Sequence, residues 1–118
     1  MFDVNGYQIR ISRGDTGLLT LCAEGGIEMT QDDRAVLTIR RRSGAPILEM
    51  SAAPDENNRV QFGFTHEMTE RWQPGVYEWD VRYVLGAEMH GEEVTSGREV
   101  ATPIPPSEFI VTRTVGVL

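Results

Sequence analysis

Hydrophobic and polar residues alternate with a period of two along much of the chain, which is the pattern of β-strands that bury one face. The clearest case is the segment 77–85, YEWDVRYVL, where large apolar side chains occupy the odd positions and charged side chains occupy most of the even ones. One face of this segment is therefore predicted to pack in the core and the other to meet water. Further strands are predicted at 8–12, 35–40, 47–51, 60–64 and 109–115.

A different pattern marks the segment 18–23, LLTLCA, which is apolar almost without interruption. Such a run predicts a strand that is covered on both faces. Its Cys22 is the only cysteine of the chain, so it cannot form an internal disulfide. We interpret Cys22 as a small buried hydrophobic residue, because no neighbouring residue suggests the base that a cysteine nucleophile needs.

Turn-forming residues separate the strands. Pro103, Pro105 and Pro106 lack the N–H group that a central strand donates, so they predict a loop or an edge strand. Clusters of glycine, proline, asparagine and aspartate predict turns at 13–17, 25–26, 43–46, 55–58 and 73–75.

The segment 65–72 departs from the strand pattern and predicts about one helical turn. Thr65 is a favourable N-cap, and Met68 and Trp72 are spaced so that they lie on one side of a helix. We expect Trp72 to close one end of the core. Seven or eight short strands with these turns predict a single all-β domain over residues 1–118, either a sandwich or a small barrel.

The balance of acidic and basic residues limits which classes of partner the chain could bind. The chain has 18 acidic and 11 basic residues and a formal net charge of −7, which argues against nonspecific binding to nucleic acid. All 11 basic residues are arginine; the arginine fork suits carboxylates at an interface, although the codon bias of a genome would produce the same composition. Residues 1–6 lack the features of a signal peptide, and no apolar run approaches a membrane helix in length. We therefore expect cytoplasmic synthesis and no membrane partner.

Residues that could carry chemistry are sparse. His66 and His90 lack the ligand spacing of a zinc site, and the sequence contains no nucleophile elbow or phosphate-binding loop. The acidic pairs 32–33 and 92–93 lack the spacing of a calcium-binding loop, and we interpret them as solvated turn residues. We predict no catalytic, cofactor-binding or metal-binding residues and no enzymatic activity.

Two features remain as candidate partner-binding residues: the run Arg40, Arg41 and Arg42, and Trp72. The arginine run either protects a strand edge from pairing with another sheet or contacts an acidic partner, which includes a second copy of this acidic chain. The aromatic residues between positions 72 and 83 either pack in the core or form a platform for a glycan.

The order of several motifs resembles a known family. These motifs are Gly14-Asp15-Thr16, DDRAVLTIR at 32–40, PIL at 46–48, Phe62-x-Phe64, PGVYEWDVR at 74–82 and EFIV at 108–111. Together they cover roughly residues 7–115 and are similar to the small Ig-like β-sandwich domains of tailed-phage and prophage tail and baseplate proteins. The N-terminal domains of upper baseplate proteins are the nearest case within that family.

The resemblance implies an Ig-like antiparallel β-sandwich of about seven to eight strands with one short helical turn near residues 65–72. It also implies a non-enzymatic structural protein without a cofactor, made in the bacterial cytoplasm and located in a tail particle, whose partners are other tail or baseplate proteins or itself. The alternative function is a carbohydrate- or cell-surface-binding β-sandwich module. The chain departs from the family pattern at 105–107, where Pro-Pro-Ser replaces a glycine, and at 86–102, which is longer.

Overall fold

A computed structural model of the chain describes residues 1–22, 29–97 and 99–114. The turn predicted at 25–26 and the last residue of the strand predicted at 109–115 lie outside these ranges. The described elements are β1 (Asp3–Asn5), β2 (Gln8–Ser12), β3 (Gly17–Cys22), β4 (Arg34–Arg40), β5 (Pro46–Ala52), β6 (Arg59–Phe64), α1 (His66–Thr69), β7 (Gly75–Leu85), β8 (Glu88–His90), β9 (Glu93–Ser96) and β10 (Glu99–Thr112).

The strands form two packed layers, so the predicted all-β sandwich is confirmed. The larger layer is a six-stranded sheet in the order β1-β2-β10-β7-β4-β5, and the smaller layer is the pair β3-β6. Strands β8 and β9 form a separate hairpin. Neighbouring strands run antiparallel, except that β2 and β10 are parallel. We call the face of the six-stranded sheet that points away from β3 and β6 the outer face.

The core lies between the two layers and follows the alternation in the sequence. On β7 the odd-numbered residues 77–83 are buried, and β6 contributes Phe62 and Phe64 from the opposite layer. The buried polar atoms of the β7 aromatics have partners: the Trp79 indole N–H donates to the Tyr7 carbonyl at 2.8 Å, and the Tyr77 hydroxyl donates to the Gln73 carbonyl at 2.6 Å. The interpretation of these aromatics as core residues is therefore confirmed.

Strand β3 is covered on one face only, so the prediction of two covered faces is wrong. Leu19 points into the core and is 5% exposed, whereas Leu18 is 59% exposed and Cys22 is also exposed. The interpretation of Cys22 as a buried residue is thus wrong as well. The cause is the size of the layer, since the pair β3-β6 packs on the core with one side and has its other side open to solvent.

The three prolines lie within β10 rather than in a loop. The pairing of β10 with β7 shifts between Ala101 and Ile104 and again between Ile104 and Ser107, so the prolines occupy irregular positions. Strand β2 pairs only with residues 109–112 of β10. Among the described strands, the proline-containing part therefore has a neighbour on one side only, which matches the predicted edge position.

The helical turn predicted near 65–72 is confirmed. The Thr65 hydroxyl accepts a hydrogen bond from the Met68 N–H at 3.3 Å, as an N-cap does. Trp72 follows this turn and closes the end of the core, where its ring packs edge-on against Phe64 and Phe109 at centroid distances of 6.0 Å and 5.7 Å. None of the described helical residues form a segment long and apolar enough to cross a membrane.

Two acidic turns are held by their own carboxylates. Asp33 is buried and accepts hydrogen bonds from the N–H groups of Gly86 at 2.8 Å and Thr30 at 2.7 Å, so its interpretation as a solvated turn residue is wrong. The turn predicted at 55–58 is present. Backbone N–H groups donate hydrogen bonds to the Asp55 carboxylate and hold its pKa below the ordinary value. The largest contribution comes from the N–H group of Arg59.

Candidate functional site

A groove opens at the end of the sandwich where Trp72 closes the core. It has a volume of about 480 Å³ and lies between the start of β5 and α1. Its exposed side chains are polar, and its half-buried and buried side chains are apolar or aromatic, so the groove has an apolar floor and a polar rim. We call it the end groove and define it by its lining residues, Arg41, Ile47, Leu48, Met68, Arg71, Trp72, Gln73 and Tyr77.

Local structure explains why these residues meet. Strand β4 ends at Arg40, and a turn closed by the Gly44 N–H and the Arg41 carbonyl at 3.1 Å leads into β5. This turn places Arg41 beside the first residues of β5. On the other wall, the helical turn brings Met68 and Trp72 to the same side. The groove therefore joins two segments that are separated by about one quarter of the chain.

The two arginines on the rim carry charge that the surrounding chain does not neutralise. Arg41 donates a hydrogen bond to the Gln73 side-chain oxygen at 3.3 Å. Within the described part of the chain, neither Arg41 nor Arg71 forms an ion pair with a carboxylate. In a protein with a net charge of −7, the rim is thus a local positive surface next to apolar side chains.

Trp72 contributes to the floor and not to the rim. It is 7% exposed, and its ring is held between Phe64 and Phe109. Only a narrow part of the indole can touch a partner, so the residue does not offer a flat surface for stacking. Trp72 was a candidate partner-binding residue, and its placement limits it to an edge contact in the end groove.

The structure separates the members of the predicted arginine run. Arg40 faces Glu78 with an N–O distance of 3.9 Å, and Arg42 faces Glu108 at 3.5 Å. Of the three arginines, only Arg41 lines the end groove, together with Trp72. The run therefore does not form one cationic patch, because the strand ends after Arg40 and the following turn redirects the side chains.

Several residues of the end groove were not among the sequence candidates. Ile47, Leu48 and Met68 read as ordinary core positions, and Arg71 carried no motif. One signal was present, since Arg71 directly precedes Trp72 in the segment that follows α1. Arg71 and Arg41 line the same groove because two distant segments of the chain come together, which no local pattern contains.

A second concavity, of about 250 Å³, lies on the outer face. Cationic and anionic side chains share its lining, so its field favours neither sign of charge strongly. The Thr38 hydroxyl oxygen is buried there and has no hydrogen-bond partner among the described residues. Its polar lining residues are Thr38, Arg40, Glu49, Glu78, Asp80 and Arg82.

Among residues 1–22, 29–97 and 99–114, no three His, Cys, Asp or Glu side chains are grouped so that they could hold a metal ion. Comparison of the chain with models of protein families and with curated proteins finds no match. The end groove brings together two of the four candidate partner-binding residues, Arg41 and Trp72, which makes it the candidate functional site.

Proposed function

We propose that this chain is a non-enzymatic structural protein of a phage or prophage tail or baseplate, in which it acts as an assembly or interaction module. The motif order ending in PGVYEWDVR at 74–82 and EFIV at 108–111 supports the family, and the β-sandwich is the fold that this family implies. The observation that carries the interaction role is the end groove, with its apolar floor and two arginines that form no ion pair with any described carboxylate.

The composition of the end groove suits a protein partner. Protein interfaces have an apolar centre surrounded by a polar rim, and arginine and tryptophan are enriched among the residues that dominate binding energy. Ile47, Leu48 and Met68 are only partly buried, so a partner could still cover apolar area on them. Arg41 and Arg71 would direct an acidic segment onto that area.

The experiment is a binding measurement with the proteins encoded next to this chain. Each neighbour is produced in soluble form, and its affinity is measured by isothermal titration calorimetry with the wild type and with the double variant Arg41→Glu/Arg71→Glu. We expect at least one tail protein to bind, and the double variant to lose about tenfold or more in affinity, because like charges then oppose an acidic partner.

A matched control reverses the charge of two exposed arginines outside the groove, Arg10→Glu/Arg113→Glu, and should bind like the wild type. Equal affinity of the groove variant and the wild type would exclude the end groove as the interface. A chain that is encoded far from tail genes and binds none of their products would overturn the proposed function itself.

The alternative function, a carbohydrate- or cell-surface-binding module, depended on the aromatic residues between 72 and 83. All four of them, Trp72, Tyr77, Trp79 and Tyr83, are buried. None of these rings offers its face to a sugar, which is how aromatic residues hold glycans. We therefore propose the assembly role alone.

A further inference from the structure

We propose that the end groove of one copy binds the β8-β9 hairpin of a second copy, so that copies of the chain associate head to tail. This inference rests on the proposed assembly function, whose partner at the end groove it identifies.

The hairpin carries exposed carboxylates, whereas the rim of the end groove carries arginines. Its segment 88–93, EMHGEE, is exposed at every residue and contains three carboxylates. Met89 is 36% exposed and belongs to the large hydrophobic residues on the surface. In the described part of the chain, none of the three carboxylates forms an ion pair.

These features match the end groove in both charge and polarity. Two guanidinium groups lie on the rim of the groove, and the hairpin carries three exposed carboxylates, Glu88, Glu92 and Glu93. Carboxylate and guanidinium groups pair by charge-assisted, often bidentate, hydrogen bonds. The partly exposed Met89 is flexible, as methionine side chains are, and adds apolar surface beside these carboxylates.

The hairpin is held in place before it meets a partner. The Ser51 hydroxyl in β5 donates to the Glu92 carbonyl at 2.9 Å. Val36 and Val84 point to the outer face yet are buried, because Val94 lies beside Val36 and Gly97 lies against Val84. A Cβ atom at Gly97 would approach the Val84 side chain to 2.2 Å, which shows how closely the backbone lies on the sheet. A segment ordered in advance loses little conformational entropy on binding.

The two surfaces are separate on one copy, which sets the type of assembly. The end groove is built where β5 begins, whereas the hairpin follows the end of β7 and contacts β5 near Ser51, on the outer face. In the described part of the chain, the end groove and the concavities beside the hairpin share no lining residue. A contact between two different surfaces is heterologous, so it generates a ring where the rotation closes and an open chain where it does not.

Two charge-reversal variants test this contact. The groove variant is Arg41→Glu/Arg71→Glu, and the hairpin variant is Glu92→Arg/Glu93→Arg. Sedimentation velocity over a range of concentrations, in about 0.15 M salt where the Debye length is about 8 Å, measures the association constant. We expect the wild type to associate, and each variant alone to associate at least about tenfold more weakly, because groove and hairpin then carry the same charge.

Mixing the two variants is the decisive measurement. In the mixture, the basic groove of the hairpin variant meets the acidic hairpin of the groove variant, and the acidic groove of the groove variant meets the basic hairpin of the hairpin variant. Both contacts between unlike copies therefore join opposite charges. We expect the equimolar mixture to recover association near that of the wild type. The controls Arg10→Glu/Arg113→Glu and Asp3→Arg/Glu56→Arg reverse the same numbers of exposed charges elsewhere and should leave association unchanged.

Three results would overturn the inference: a wild type that stays monomeric at the highest soluble concentration, variants that associate as the wild type does, or a mixture that fails to recover. Circular-dichroism melts of each variant verify that it is folded. A monomeric wild type that still binds a tail protein through the end groove would overturn the self-docking alone and leave the proposed function standing.

Discussion

Strand β7 lies inside a six-stranded sheet with β10 and β4 as neighbours, whereas β3 has β6 as its single neighbour among the described strands. The inward residues 77, 79, 81 and 83 of β7 are buried, and even its outward Val84 is buried, because the segment after the β8-β9 hairpin lies against it. On β3, Leu19 is buried while the adjacent Leu18 is exposed. The comparison shows that the surroundings of a strand, and not its own hydrophobicity, decide how many of its faces are covered.

The largest effect is expected at the centre of β7. Trp79→Ala should lower the free energy of unfolding by about 3–5 kcal/mol, because it removes a buried indole and leaves a cavity. It also leaves the Tyr7 carbonyl without its donor. Urea denaturation followed by circular dichroism measures the change. On the same strand, Val76→Ala at a 47% exposed position should stay within about 0.5 kcal/mol, and a loss below about 1 kcal/mol for Trp79→Ala would contradict its core position.

Two neighbouring leucines on β3 sharpen the contrast further. Leu19→Ala should cost about 2–4 kcal/mol, because it opens a cavity beneath the two-stranded layer. Leu18→Ala should change stability by no more than about 0.5 kcal/mol, since its side chain already meets water. The same denaturation measurement applies to both variants. Similar losses at the two positions would mean that another surface covers the outer side of β3.

A smaller effect is expected where β7 ends. Asp33→Ala removes the acceptor of the Gly86 and Thr30 N–H groups, and each group would remain without a partner in a partly buried place. We expect a loss of about 1–3 kcal/mol in thermal or urea unfolding. The adjacent Asp32 is exposed, so Asp32→Ala serves as the control and should be close to neutral. Equal stability of both variants would show that the hydrogen bonds of Asp33 make no net contribution to the free energy of unfolding.

The strands and the helical turn could be predicted because their signals are local. The alternation at 77–85 defines the buried face of β7 without any knowledge of its neighbours, and Thr65 with Met68 defines the cap of α1. The prediction that both faces of β3 are covered was wrong, because the number of covered faces is not a local property. A continuous apolar run does not state whether its layer contains two strands or six, and Cys22 was misplaced with the rest of the run.

The candidate site was accessible to sequence reasoning only in part. Arg41 and Trp72 were both singled out, but for separate reasons and not as one site. Their meeting with Arg71 and Ile47 requires the turn after β4 to approach α1, which is a tertiary contact between distant segments. The role of Asp33 was missed likewise, because its donor Gly86 is 53 positions away in the sequence.

The smallest effect is expected on the pKa of Tyr83 in β7, which depends on Cys22 in β3. Burial raises the pKa of Tyr83 above its ordinary value of 10.0, and the negative charge of the ionised Cys22 thiol raises it further. The folded state therefore favours the neutral phenol, so the stability that Tyr83 contributes is present below pH 10.0 and is lost as the pH rises through the folded pKa.

Cys22→Ser removes the thiolate and should lower the pKa of Tyr83 without bringing it to the ordinary value, because the burial remains. An ultraviolet titration of phenolate absorbance in both proteins measures the difference, with Thr20→Ser on the same face of β3 as the control. A Tyr83 pKa that does not respond to Cys22→Ser would separate the two side chains and would place the exposed end of β3 away from the end of β7.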